Sequence, residues 1–297
     1  MDPQAEAVSK VTVPSILERK LRGEKIVCLT AYDYPTARLV DEAGIDMILV
    51  GDTLAEVVLG YDSTVPVTVE EMLHHLRAVR RAVRRALLIG DLPFGAYHIN
   101  EDQAVSTAVR FLKEGGAEAV KIEGGQKRAP LVHRLVEAEI PVVGHIGLTP
   151  QSVHALGGYP VQGKTLDSVH QLLADAQAVE DAGAFALVLE GIPRELATMI
   201  TRRLRIPTIG IGAGPDCDGQ ILVFHDLAGL SFRPPAKFVR AYAGVAVALR
   251  EALAHFREDV LTGRYPDDRE SYHWPAALRE QFEQTENAPG AKSPRRS

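Results

Sequence analysis

Apolar runs of four or five residues recur along the chain, and most of them stop on an acid. Met47-Ile-Leu-Val50 runs through Gly51 into Asp52, Ala86-Leu-Leu-Ile-Gly90 into Asp91, and Ala186-Leu-Val-Leu189 into Glu190. Ala119-Val-Lys-Ile122 follows the same pattern before Glu123, broken only by Lys121. Runs this short, without polar alternation, read as strands buried on both faces, as in a parallel sheet flanked by helices. Between them the period changes to that of a helix. Ala104, Ala108, Phe111 and Leu112 share one helical face, which Asn100 caps and the pair Gly115-Gly116 ends. Thr68-Val-Glu-Glu71 has the spacing of a capping box and opens a helix that reaches about Arg81.

The alternation continues along the chain. Lys25 to Thr30 is a first strand, followed by a helix from Pro35 to Ala43. Further strands are expected at Pro141 to His145, Pro207 to Gly212 and, with the weakest pattern, Ile221 to His225. Helices are expected over Ala129 to Glu139, Leu166 to Ala182, Arg194 to Leu204 and Lys237 to Leu261. Eight strand and helix pairs in a row favour a closed (β/α)8 TIM barrel over an open doubly wound sheet. A short amphipathic helix from Pro14 to Arg22 is placed to plug the bottom of that barrel. The expected organisation is a flexible lead over 1–13, a catalytic barrel over 14–266 and a disordered extension over 267–297, where Pro, Glu, Arg, Ser and Gly dominate. Two long connections, Thr53 to Val67 and Ile146 to Lys164, are read as functional, the first as a cover over the site.

Composition narrows the function classes. The 297 residues are 46% hydrophobic, enough for a large core. A net charge of -6 and a pI near 5.9 supply no basic face for nucleic acid or an anionic membrane, and Arg77 to Arg85 reads as a solvated helix face. The two cysteines, Cys28 and Cys217, are far apart and suit neither a disulfide framework nor a structural zinc site. Met1 to Lys10 lacks the apolar core of a signal peptide, and no run approaches the ~18 apolar residues of a membrane span. These features point to a cytoplasmic protein.

The strand ends carry the chemistry. In parallel strands of a barrel, Asp52, Asp91, Glu123, His145 and Glu190 converge on the carboxyl face. An acid in that place often only caps the next helix or meets a surface cation, and four on nearby strands weaken that reading. Hard oxygen donors around an open centre suit Mg²⁺ or another divalent cation. Lys121 lies two residues before Glu123, so both point to one side, setting an ammonium beside carboxylates where an anionic substrate would bind. His145 reads equally as a substrate hydrogen-bond donor or a satisfied core histidine, with metal ligation as a third account. Gly210-Ile-Gly-Ala-Gly214 lacks the spacing of a dinucleotide fingerprint and fits a tight turn or close backbone approach. The set implies carbanion or enolate chemistry with a divalent cation.

Taken together the motifs resemble the ketopantoate hydroxymethyltransferase family. The resemblance is carried by Thr30-Ala-Tyr-Asp33, Val50-Gly-Asp52, Asp62-Ser-Thr64, Asp91-Leu-Pro-Phe94, Lys121-Ile-Glu-Gly-Gly125, the run from Gly144 to Ser152, Gly157-Gly-Tyr159, Val161-Gln-Gly163, Gly210 to Gly214 and Asp218-Gly-Gln220. It spans roughly Val13 to Pro266. It implies a barrel of the phosphoenolpyruvate/pyruvate superfamily that moves a one-carbon unit from 5,10-methylenetetrahydrofolate to 3-methyl-2-oxobutanoate in pantothenate synthesis, and a homo-oligomer, typically a decamer. Residue by residue it implies Mg²⁺ at Asp52, Asp91 and Glu123, the keto acid at Asp52, Thr53, Asp91 and Lys121, and a proton acceptor at Glu190. Glu190 stands in an apolar frame, Leu187-Val-Leu189 and Ile192-Pro193, so burial is expected to raise its proton affinity. Where the family commonly has Gly-Asp-Ser-Leu-Gly, this chain has Gly51-Asp-Thr-Leu-Ala55, which keeps the hydroxyl at 53 and adds methyl groups at 53 and 55. Two rivals stay open at this point: a carbon–carbon lyase of the same superfamily acting on a 2-oxo or 2-hydroxy diacid, and an inactive barrel that binds a ligand or serves in an assembly.

Overall fold

Every one of the apolar runs becomes a strand with two parallel neighbours. The computed structural model describes residues 9–286. Its strands are β1 (Ile26–Thr30), β2 (Met47–Val50), β3 (Leu87–Asp91), β4 (Ala119–Glu123), β5 (Val142–Gly147), β6 (Ala186–Glu190), β7 (Thr208–Ile211) and β8 (Gly219–Leu222). They pair in sequence order, all parallel, and β8 pairs with β1 to close a (β/α)8 barrel.

Side-chain alternation sorts each strand into two cores. Met47, Leu49, Leu87, Ile89, Ala119, Val143, Ala186, Val188 and Ile209 fill the barrel interior. Their neighbours Ile48, Val50, Leu88, Val120, Ile122, Val142, Leu187 and Leu189 pack outward in the second core, with helix residues such as Leu76, Phe111 and Val179. Both faces are therefore apolar, which is why the strands show no polar alternation. The same phase carries Asp91, Lys121, Glu123, His145 and Glu190 onto the inner face at the carboxyl rim.

Helix boundaries follow the local signals. Thr68 and Glu71 form the expected capping box of the helix Val69–Ala82, and Asn100 caps Glu101–Lys113. The helix Val13–Arg22 closes the lower end: Ile16 is fully buried in the interior core, and Lys20 Nζ reaches Asp218 at 2.8 Å.

The structure changes five expectations. The lead is anchored over its last residues, since Lys10 Nζ meets Ala86 O at 2.6 Å and Val11 is buried; residues 1–8 lie outside the described residues. β8 starts two residues earlier than expected, at Gly219, because a Cβ there would stand 2.4 Å from Ile26 O and only glycine lets the closing strands approach. The described residues divide into two compact units between Ala243 and Gly244, short of the break expected after 266. The helix expected from Lys237 begins at Val245, belongs to the second unit and has no buried residue. Finally, the extension carries a helix, Ala276–Glu286, where Trp274 and Phe282 pack with ring centroids 5.0 Å apart. Residues 287–297 lie outside the described residues.

The first long connection is built into the wall rather than draped over it. It contains a helical turn, Leu54–Val57, whose Leu54 and Ala55 are fully buried. Arg233 pins it from the segment after β8, bonding Glu56 and the carbonyl oxygens of Tyr61 and Asp62.

Candidate active site

Asp91, the last residue of β3, accepts from Lys121 Nζ at 2.6 Å through Oδ1 and from the Asp52 N–H at 3.2 Å through Oδ2. Lys121 Nζ also lies 3.6 Å from Glu123 Oε1. β2 ends at Val50, so Asp52 stands on the turn beyond it and reaches the cluster by its backbone as well as its side chain. All four residues are at least 95% buried. The structure thus brings Asp52, Asp91, Lys121 and Glu123 together.

His145, from β5, extends this cluster to Glu190 on β6. Its Nδ1 lies 3.3 Å from Glu123 Oε1 and its Nε2 3.2 Å from Glu190 Oε2, though neither nitrogen is aligned for a hydrogen bond. Gly147 allows this arrangement: at φ +95° a Cβ would stand 2.2 Å from Glu190 O, so the ends of β5 and β6 approach only with glycine here. Glu190 keeps 15% of its side chain exposed, more than any other acid of the site. Its carboxylate therefore meets an imidazole while part of its side chain stays open at the rim. Thr53 is adjacent but separate: it heads the turn Leu54–Val57, and no hydrogen bond joins its hydroxyl to the acids.

Two residues that the sequence did not single out complete the cluster. Gln151, on a 3₁₀ turn in the second long connection, donates Nε2 to Asp52 Oδ2 at 2.9 Å and its backbone N–H to Glu123 Oε2 at 3.0 Å. Tyr97 donates to Gln151 Oε1 at 2.6 Å and accepts from the Glu123 N–H at 3.1 Å. Gln151 lies within the Gly144 to Ser152 motif already marked, whereas Tyr97 falls three residues beyond Asp91-Leu-Pro-Phe94 and carried no signal of its own.

Three carboxylates around one ammonium leave a surplus of negative charge in a buried place. Burial, then the charges of Asp91 and Glu123, push the Asp52 carboxyl well above its usual range. Burial also raises Asp91, against the pull of Lys121. Burial opposes the Lys121 ammonium, but Asp91, Glu123 and Asp52 outweigh it and hold the group more basic than usual. His145 behaves likewise: burial disfavours its charge, yet Glu123 and Glu190 raise it to about 9, so the ring is an imidazolium at neutral pH. A folded pKa above the ordinary 6.5 stabilises the protein fully below that value and is lost as pH rises through about 9. With divalent cations chelated, the melting temperature is expected to fall by several degrees from pH 6.5 to 9, and His145→Gln to flatten that fall, as thermal melts across the window would show.

A divalent cation fits this donor set. Among the described residues no three Asp, Glu, His or Cys side chains stand ready as a ligand cage. Asp91 Oδ1 is turned to Lys121 and Asp52 Oδ2 to Gln151. The acids are nonetheless hard oxygen donors with more negative charge than Lys121 offsets, which is the setting such an ion stabilises. Gly210 to Gly214 forms a tight turn: Gly212 at φ +62° backs onto the Phe238 ring and Gly214 at φ +81° onto the Arg194 side chain. The dinucleotide alternative gains nothing from it.

A closed parallel barrel with acids, an ammonium and an imidazolium gathered at its carboxyl rim defines a (β/α)8-barrel enzyme. The sequence model of the ketopantoate hydroxymethyltransferase family matches residues 10–268, and the chain belongs to that family. It is similar to the 3-methyl-2-oxobutanoate hydroxymethyltransferase of Koribacter versatilis, at 63% identity over 94% of this chain and 95% of that one. The enzyme of the same name from Carboxydothermus hydrogenoformans is 54% identical over 89% and 96%. Among solved structures, a phosphonopyruvate hydrolase in complex with oxalate and Mg²⁺ superposes with a TM-score of 0.58 at 15% identity over 92% of this chain and 95% of that one. A 2,3-dimethylmalate lyase of the PEP mutase/isocitrate lyase superfamily gives 0.54 at 16% over 92% and 98%. At such identities these two share the fold.

Proposed function

We propose that the chain transfers a hydroxymethyl group from 5,10-methylenetetrahydrofolate to 3-methyl-2-oxobutanoate, giving 2-dehydropantoate for pantothenate synthesis in the cytoplasm. Family membership supports the reaction, and one observation carries the assignment of roles. Glu190, the most open acid of the rim, shares His145 with Glu123 of the buried acid cluster.

Asp52, Asp91 and Glu123 are the residues that would hold Mg²⁺ or another divalent cation. When bound, the cation supplies positive charge against the negative charge that develops on the keto oxygen. Lys121, fixed by Asp91 at 2.6 Å, presents its ammonium to the keto acid's anionic end, and Thr53 offers a hydroxyl beside Asp52. Glu190 removes the proton from C3 of the keto acid. His145, whose Nε2 stands 3.2 Å from Glu190 Oε2, positions that carboxylate for the transfer. The carbon nucleophile then forms a bond to the methylene carbon of the folate; tetrahydrofolate leaves, and water provides the hydroxyl oxygen.

The family resemblance implies a homo-oligomer, a decamer in the typical case. Val247, Leu253, Phe256 and Leu261 of the helix Val245–Leu261 are each at least 55% exposed, an apolar surface of the kind that subunit contacts cover. Among the described residues no helix is long and apolar enough to cross a membrane.

A turnover assay with and without chelator tests the proposal. Product formation is expected to require both the keto acid and methylenetetrahydrofolate, to drop at least 100-fold with chelator and to return with Mg²⁺, a loss of about the size of other electrostatic contributions at such centres. Carbon–carbon cleavage of a 2-oxo diacid without folate would instead make the chain a lyase. Tight keto-acid binding indifferent to Mg²⁺, without turnover, would make it a binding protein.

A further inference from the structure

Gln151 is 4% exposed, and every polar group of its side chain has a fixed partner. Its amide oxygen accepts the Tyr97 hydroxyl at 2.6 Å, so its NH2 group must face the other way. That group donates to Asp52 Oδ2 at 2.9 Å and to Leu92 O at 3.0 Å. The Gln151 backbone N–H takes Glu123 Oε2 at 3.0 Å. The Tyr97 hydroxyl has a single proton, given to Gln151, and its lone pair accepts the Glu123 N–H at 3.1 Å. The amide therefore has one allowed orientation, set by the phenol and not by the acids themselves.

This network engages one oxygen of each carboxylate. Asp52 Oδ2 and Glu123 Oε2 are held by Gln151, while Asp52 Oδ1 and Glu123 Oε1 lie outside it, the latter beside Lys121 and His145. Asp52 and Gln151 are 99 positions apart, and Glu123 and Gln151 are 28 apart. One residue thus ties the turn after β2, through its side chain, and the end of β4, through its backbone N–H, to the loop after β5.

We infer that Gln151, locked by Tyr97, is the positioning residue of the acid cluster, selecting which oxygen of Asp52 and of Glu123 is offered to a divalent cation. The inference rests on the proposed function, in which these acids hold that ion. Groups that orient the ligands of a metal typically contribute about 10- to 100-fold in affinity.

Mn²⁺ binding to the resting protein, followed by electron paramagnetic resonance without either substrate, tests this. Gln151→Met keeps the volume and the backbone N–H to Glu123 but donates nothing to Asp52, and Tyr97→Phe removes the hydroxyl that orients the amide and that also accepts the Glu123 N–H. Each is expected to weaken Mn²⁺ binding by about 10-fold or more. Each is also expected to raise the KM for the keto acid by more than it lowers kcat, a split that loosened packing alone would not produce. Tyr97→Phe serves if Gln151→Met fails to fold. Variants that bind Mn²⁺ as the wild type does, with an unchanged KM, would overturn the role of Gln151 and leave the cation site standing. A wild-type protein that binds no Mn²⁺ would overturn both.

Discussion

Glu190→Gln is expected to fold, to bind Mn²⁺ and 3-methyl-2-oxobutanoate as the wild type does, and to lose exchange of the C3 proton by at least 100-fold, the scale of a positioned general base. The amide is isosteric with the carboxylate but cannot take a proton. It also leaves the deeper acids untouched, because Glu190 meets them only through His145. Proton exchange in deuterium oxide, monitored by NMR without folate, isolates this step from one-carbon transfer. Retained exchange in Glu190→Gln would move the base elsewhere, with His145 the next group in line at 3.2 Å.

Lys121→Met is expected to be the most damaging change to stability. Lys121 is buried, 2.6 Å from Asp91 and 3.6 Å from Glu123, and among the described residues it is the one cation that meets both acids. Without it three buried carboxylates face each other, and removing one partner of a buried ion pair costs about 3–5 kcal/mol. For a chain of this size that amounts to a drop in melting temperature of roughly 6 °C or more. The sign with pH follows from the Asp52 carboxyl, already raised by burial and by Asp91 and Glu123. A raised folded pKa favours the fold while the group is protonated, so the deficit of the variant grows as pH rises from the acidic range toward neutrality. Mg²⁺ is expected to recover part of the loss by supplying the missing positive charge. Melting curves in chelator and in Mg²⁺, at an acidic and a neutral pH, give all three results. A variant as stable as the wild type in chelator at neutral pH would show that the acids do not share one field.

Much of this site was legible before folding was considered. Asp52, Asp91, Glu123 and Glu190 announced themselves because a strand buried on both faces is a bare apolar run, and a carboxylate marks where it leaves the core. Lys121 and Glu123 were legible as a pair because a strand repeats every two residues. Other features left no such trace. Gly219 lay outside the strand expected from Ile221, and the 2.4 Å that a Cβ there would leave to Ile26 O explains why glycine stands where β8 begins. Of the apolar flanks of Glu190, Leu187, Leu189 and Ile192 face the outer core, while its own side chain follows the inner phase, with Val188, to the rim.

The sequence by itself determined the alternation of strand and helix, the direction of the strands and the set of charged residues at their ends. Those properties depend on periods of two and 3.6 residues and on turn chemistry, which act between near neighbours. Tertiary structure alone decided which groups meet. His145 became a bridge between two carboxylates, Gln151 joined the acid cluster from 99 positions away, and the unit boundary moved to 243. Such partnerships form when barrel closure brings distant loops to one rim, and there burial makes hydrogen bonding and charge compensation obligatory.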